Sequence, residues 1–460
     1  MTMGVDATDP HLAERGGPMN IHRGQAAWLA ASVAVVSIAA LLAAGPGAVE
    51  AASPRLVDRA AEAGINQPVT PSWDVTTVDY DNDGDTDFSM SLHWTNPGEL
   101  RRNNDDGTFT RIAGSGAAAS IIMPRPNELG GLVDRHACTW ADFDRNGLPD
   151  AYCSAGRQMN NSYKTESINN ELWRQTTVGI FTDTATASRA GEPCARGRHV
   201  AALDVNGDGW QDLFVGAVVE RADPDDPCNT HANYPYNEQS KILINRRRGA
   251  NGAWLGFRSG TEWNVSQPNS GGRLALPWDY NRDGRTDLLT SAQRAWLYRN
   301  TGTGFAEVSR AVSVALPTFN GASIADITGD AIPDLVFADD TGFAYRAGTS
   351  AGISLTTVRL GPATSGGIGE TTAVGDINGD GLQDVYGLVA SPVPGGGNPD
   401  DLVFVASTGG WQRHVVPAAG GDANDVAAVP VGGRAQFVVL NGDDDQGVRS
   451  PGPVQLIAWR

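Results

Sequence analysis

The fold turns on one stretch, Asp79-Tyr80-Asp81-Asn82-Asp83-Gly84-Asp85-Thr86-Asp87. Carboxylates stand at loop positions 1, 3, 5 and 9, and glycine stands at position 6. Alternate oxygens on a tight loop can all turn inward onto one hard cation, and the glycine permits the sharp bend. Calcium suits such a set, because it takes about 6–8 oxygens in a flexible cage, whereas magnesium keeps several waters. No Cys or His joins the set, which argues against zinc. A single acidic, glycine-containing run is ordinarily a solvated turn, so the weight falls on repetition.

The spacing recurs five times. Asp142-Phe143-Asp144-Arg145-Asn146-Gly147-Leu148-Pro149-Asp150 repeats it. So do Asp204, Asn206, Asp208 and Asp212, and Asp279, Asn281, Asp283 and Asp287. The last two copies are Asp326, Thr328, Asp330 and Asp334, and Asp376, Asn378, Asp380 and Asp384. An EF-hand would place glutamate at position 12. Here that residue is Met90, within the apolar alternation Phe88, Met90, Leu92. The loop therefore joins two strands rather than two helices, and the expected cofactor is calcium, up to six ions.

The formal charge of −19 follows from the same loops. Positions 1, 3, 5 and 9 carry four carboxylates in the first copy and three in each of the others. No basic stripe is visible, which argues against a nucleic-acid partner. Ala26 to Ala44 is a 19-residue uncharged run preceded by Arg15 and Arg23, and Val49-Glu50-Ala51 offers a cleavage pattern. Residues 1–51 are accordingly expected to be a signal peptide or an N-terminal membrane anchor, with the remainder secreted or on the extracytoplasmic surface. Any membrane association would then run only through an uncleaved anchor. Disulfides persist in that compartment. Cys138 and Cys153 flank the second loop and Cys194 and Cys228 the third, predicting pairs 138–153 and 194–228, although four cysteines permit three pairings.

Loop starts fall at 79, 142, 204, 279, 326 and 376, a period suited to four short strands, the size of one propeller blade. Each copy carries an apolar run into and out of the loop. A third segment follows, such as Glu99–Asn103 or Trp296–Asn300, and then a fourth after a glycine-rich turn, such as Gly304-Phe305-Ala306, Ser354-Leu355-Thr356 or Trp411-Gln412-Arg413. A seventh unit aligns Ala428 to Gln436 with the loop, keeping Gly433 but no carboxylate ligand, so the turn is expected to persist without metal. Its third strand, Val454 to Trp459, is the last of the chain, and Arg55 to Ala60 supplies the missing fourth. The expected fold is an all-β, seven-bladed β-propeller over residues 54–460, its last blade closed by the N-terminal strand. Closure removes two exposed sheet edges.

The DxDxDGxxD loops with their Leu-Tyr-Arg-Asn and Gly-Phe segments (Leu297 to Asn300, Gly304-Phe305) resemble the FG-GAP/VCBS repeat family, the propeller repeat of integrin α-subunits and many secreted bacterial proteins. Leu56 to Ile65 is similar to the opening segment of cartilage-acidic-protein-type members. The resemblance implies that the metal loop joins the first and second strands of each blade. It also implies that the position 7 carbonyls, those of Asp85, Leu148, Trp210, Arg285, Ile332 and Leu382, complete each cage. The fifth copy departs from the pattern with Thr328 and Ala331 and is expected to be the weakest site; Asn146 weakens the second mildly.

With metal loops on one face, long connections fall on the other, at Ser154 to Asn170 and Ala217 to Gln239, the latter carrying His231, Tyr234 and Tyr236. The residue six before each loop start is Trp73, His136, Arg198, Arg273, Asn320, Glu370 or Asp422, never aliphatic. In a ring these converge on the channel mouth, where arginines can grip a carboxylate and Trp73 can stack on a sugar. The same set also makes a wet rim of ion pairs. Three functions stay open: a binding module for a glycan or an extracellular protein; a polysaccharide lyase or hydrolase using a carboxyl pair such as Glu370 and Asp422; and a structural surface protein.

Overall fold

The computed structural model describes residues 55–65, 72–92, 99–112, 135–156, 169–192, 197–217, 240–265, 274–291, 295–311, 314–392, 397–417, 419–421, 424–442 and 452–460. Residues 53–460 form one compact unit. Among the described residues there is no helix, hence none long and apolar enough to cross a membrane.

Seven four-stranded antiparallel sheets make a seven-bladed β-propeller. Blade one runs Ser72–Val78, Asp87–Leu92, Glu99–Asn103 and Phe109–Arg111. Blade two is Arg135–Ala141, Asp150–Ala155, Glu171–Thr177 and Ile180–Asp183, and blade three is Gly197–Leu203, Asp212–Ala217, Lys241–Asn245 and Phe257–Ser259. Blade four is Leu274–Trp278, Asp287–Ser291, Ala295–Asn300 and Phe305–Glu307. Blade five is Gly321–Ala325, Asp334–Asp339, Gly342–Arg346 and Val358–Gly361, and blade six is Ile368–Gly375, Asp384–Ala390, Asp401–Val405 and Gln412–Val416. In the seventh sheet Leu56–Asp58 lies outside Gln455–Trp459, Arg434–Leu440 and Asp425–Val431, with Leu56 opposite Trp459. The first strand of each blade packs against the first strand of the next, right around to blade one.

Second strands are buried along all or nearly all of their length, because each is covered by a neighbouring blade on both faces. The apolar contacts accordingly form between blades. One cluster joins Phe88, Met90 and Phe109 of blade one to Val438, Leu440 and Leu456 of blade seven, with Ala60, Ala63 and Ile65 sealing its rim.

Two expectations are corrected. Ala428 to Gln436 does not keep the nine-residue turn: Val431 pairs directly with Arg434, and Gly432-Gly433 form a two-residue hairpin at φ 57° and 79°. Two glycines with positive φ suit the twist of a tight hairpin, so shortening replaced decay of the loop. The fourth strand of blade five is Val358–Gly361, not Ser354 to Thr356. A small extra hairpin, Gly348–Thr349 with Gly352–Ile353, intervenes, and Leu355 is left exposed. The predicted pair Cys138–Cys153 is bonded, its residues directly opposite on adjacent strands of blade two. Cys194 and Cys228 lie outside the described residues.

Candidate metal loops and channel mouth

Each nine-residue loop builds itself from its own hydrogen bonds. The position 1 aspartate accepts from the backbone N–H groups of positions 5 and 6: Asp79 from Asp83 and Gly84, Asp142 from Asn146 and Gly147, Asp204 from Asp208 and Gly209. Asp279, Asp326 and Asp376 do the same. The position 5 side chain accepts from the N–H of position 7, as in Asp83 with Asp85 and Asp380 with Leu382. Such side-chain-to-backbone turns are why Asp and Asn fill these places. Position 4 is left-handed in every copy as well as position 6, with Asn82, Arg145 and Arg282 at φ 54–58°. In the fifth copy Ala331 takes φ 64° at position 6.

The position 9 aspartate does a different job. Asp87, Asp150, Asp212, Asp287, Asp334 and Asp384 are fully buried. One oxygen of each accepts from the position 2 N–H, such as Tyr80 or Ile377, and the other from the end of the third strand, such as Asn103 or Ala406. It ties the loop to its own sheet. Burial pushes these carboxyls up, to about 7 for Asp87, Asp150, Asp212 and Asp287 and about 6 for Asp384, although the backbone donors pull the other way. A nearby cation would remove that penalty.

Two loops bring carboxylate oxygens together within 4.8 Å: Asp79, Asp81 and Asp87, and Asp142, Asp144 and Asp150. Asp81 Oδ1 is buried without a hydrogen-bond partner, so the first loop fits a cation by an atom otherwise left unsatisfied. In the second loop Arg174 reaches the Asp144 carboxylate and stacks on Trp254. Arg247 pairs with Asp208 at 2.6 Å in the third loop, and Arg285 with Asp283 at 2.8 Å in the fourth. These guanidiniums compete with a cation, a feature absent from the sequence reading.

The sequence reading also missed the amides that stitch blades together. Asn103 Nδ2 donates to Thr86 O of its own loop and to Pro430 O of blade seven. Gln175 Nε2 donates to Pro149 O and to Tyr80 O of blade one. Asn245 reaches Gln211 O and Phe143 O, and Asn300 reaches Thr286 O and Val205 O. Each joins one metal loop to position 2 of the preceding loop, or to the tight turn of blade seven. The signal was the amide closing each third-strand segment.

At the other end of the first strands lie five of the seven predicted mouth residues; Arg273 and Asp422 fall outside the described residues, as do His231, Tyr234 and Tyr236. In four blades a β-bulge takes in this position: Trp73, His136, Arg198 and Glu370 fall where the register shifts. A bulge re-aims its side chain, and only the pairing with the second strand reveals it. Trp73 and His136 stack at 4.7 Å, and the Arg198 guanidinium sits 5.7 Å over the Trp73 ring. His136 Nδ1 donates to Gly197 O at 2.7 Å, and Arg198 Nη1 lies against the same imidazole, in contact with both of its nitrogens. Asn320 lies apart from this group, donating to Gly369 O and Asp340. Glu370 adds to the charge around half-buried Asp425, whose carboxyl is raised first by desolvation and then by Asp74. Asp425 accepts from Val75 N–H and Asp74 from Cys138 N–H, closing contacts between neighbouring first strands.

Residues 279–337 match the FG-GAP-like repeat family and residues 196–221 the FG-GAP repeat family. No curated protein matches the chain. Among solved structures, it is similar to a lectin of Agrocybe aegerita that specifically recognises non-reducing terminal N-acetylglucosamine, at 17% identity over 75% of this chain and 80% of that one, with a TM-score of 0.44. It is similar to BBS1N, solved in complex with ARL6DN, at 11% identity over 85% and 93%, TM-score 0.43. The rhamnogalacturonan lyase YesW is similar at 11% identity over 84% and 71%, TM-score 0.36. At such identities, function has to be argued from this chain's own residues.

Proposed function

We propose, from the premise that this chain is a seven-bladed propeller carrying FG-GAP repeats, that it is a secreted or surface calcium-binding module that holds a glycan at its channel mouth. The observation that carries the reading is the Trp73–His136–Arg198 stack, raised on bulges at the end of the strands away from the metal loops. An aromatic face backed by a cation suits an acidic sugar, which offers an apolar ring face and a carboxylate. Calcium, up to six ions, would be held by the loop carboxylates and would stiffen the hairpins at the opposite end. Carbonyls at position 7 would complete the cages.

A glycan array run with and without chelator tests both halves. Acidic glycans are expected to bind, and Arg198→Ala to weaken them about tenfold, the loss of roughly one charge-assisted contact. Binding of extracellular protein alone, with no glycan retained, would replace the glycan reading. For the metal, each saturated site adds about 2.7 kcal/mol at a hundredfold excess over Kd. Chelation should therefore lower the melting temperature; an unchanged melting curve would remove calcium from the account.

A further inference from the structure

In blades one to four the seam between successive loops is filled by a bridging amide, Asn103, Gln175, Asn245 or Asn300. The equivalent residue in blade six is Ala406. Its backbone is placed like the others, since Ala406 N–H donates to Asp384 Oδ1 at 2.8 Å just as Asn103 N–H donates to Asp87. Only the side chain is missing. A groove of about 830 Å³ opens at that seam, between the fifth and sixth metal loops, and Ala406, Ile327 and Gln383 line it.

Two aromatic residues flank the gap, and both depart from their counterparts. Tyr345 occupies the third-strand place held elsewhere by Leu100, Leu172, Ile242, Leu297 and Val403, all buried; Tyr345 is half-buried and lines the groove. Fourth-strand aromatics in other blades pack edge-on against a core ring: Phe109 on Phe88, Phe181 on Trp140, Phe257 on Phe143, Phe305 on Trp263. Trp411 has no ring partner among the described residues and also lines the groove. The Tyr345 hydroxyl, the Trp411 indole N–H, the Gln383 amide and the Thr408 hydroxyl form no hydrogen bond to any described residue. Among the described residues Asp326 is the one carboxylate lining the groove, and its oxygens already accept from Gly329, Asp330 and Ala331 N–H.

We infer that this groove is a second saccharide site, on the metal-loop face, selective for neutral sugars. Aromatic faces pack on the C–H face of a pyranose, and neutral donors and acceptors around them match its hydroxyls. The inference rests on the reading of the protein as a glycan binder but uses a different face and different residues.

The full-length mature protein, labelled with 5-fluorotryptophan, is titrated with cellobiose, maltose and N,N′-diacetylchitobiose at millimolar concentration and followed by fluorine NMR. Trp73→Phe and Trp411→Phe assign the two lines. The Trp411 line is expected to shift with at least one neutral disaccharide, and the shift to vanish in Ala406→Asn. That variant rebuilds the bridging amide and keeps the wild-type melting temperature or raises it, so loss of binding is not loss of fold. A Trp411 line that none of the three sugars moves overturns the groove, as does a shift that persists in Ala406→Asn. Movement of the Trp73 line reports on the channel mouth alone, so the two sites can fail separately.

Discussion

Ala331 puts a β-carbon at position 6 of its acidic loop. It sits at φ 64° where the other five copies have glycine. A β-carbon in that conformation costs about 1–2 kcal/mol, partly offset by the greater chain entropy of glycine in the unfolded state. Ala331→Gly is therefore expected to raise unfolding stability by about 0.5–1 kcal/mol, measured by urea denaturation in chelator. A second residue-scale expectation concerns Asp401, fully buried with Val389 N–H and the Tyr386 hydroxyl donating to it. Burial outweighs those bonds and pushes its carboxyl from 3.8 up to about 7. A raised folded value means that the native state binds the proton more tightly. The stabilisation is complete below about pH 4 and is lost as pH rises through about 7. Asp401→Asn should remove that component, so its melting temperature falls less between pH 5 and 8 than that of wild type. The loop-building role of the side chains at positions 1 and 5 was legible in the sequence, because each is set by its neighbours in the loop. The arginines at Asp144 and Asp208 were not, since Arg174 comes from the third strand of blade two and Arg247 from just after the third strand of blade three, both far along the chain.

The hairpin with its amide stitch is the repeating element. Asn300 shows it completely: its amide donates to Val205 O and Thr286 O, and its oxygen accepts from Gly302 N–H. Asn300→Ala strands buried backbone groups on two adjacent blades. A loss of about 2–4 kcal/mol is expected by chemical denaturation, since each orphaned buried partner costs about 1–3 kcal/mol. A loss no larger than that of an exposed asparagine, such as Asn251, would show that water satisfies these carbonyls. The segment Trp296 to Asn300 was recognisable as a strand from its place in the repeat. Its closing amide looked like part of a motif, and its purpose appeared only when Val205 of another blade was found beside it. Blade seven makes the complementary point. Gly433 was aligned correctly as a turn glycine, yet the turn is two residues rather than nine, because Val431 and Arg434 pair directly.

At the scale of the molecule, the seventh sheet is assembled from both ends of the chain. Leu56–Asp58 covers the edge of Gln455–Trp459, and Ala60, Ala63 and Ile65 bury themselves against blades one and seven. A chain beginning at residue 66 would leave that edge unpaired and that cluster open to water. It is expected to elute as aggregate in size-exclusion chromatography, where a chain beginning at residue 53 elutes as a discrete species. Elution of the shorter chain at the same position with an unchanged melting curve would mean that the strand is dispensable. The ring also explains where the two faces differ. In six of the seven blades one end of the first strand leads into a self-built acidic loop. The other end bulges in four of them and gathers Trp73, His136 and Arg198.

The sequence by itself determined where the six acidic hairpins turn and which side chains hold those turns. Those features are settled by hydrogen bonds spanning two to seven residues, as in Asp79 to Gly84 and Tyr80 to Asp87. Tertiary structure alone decided which side chains meet at the mouth, which loops are stitched and where Ala406 leaves a gap. Those outcomes join residues as far apart as Asn103 and Pro430, or Val75 and Asp425. A contact between distant segments depends on blade-to-blade packing, and no local pattern of residues encodes that packing.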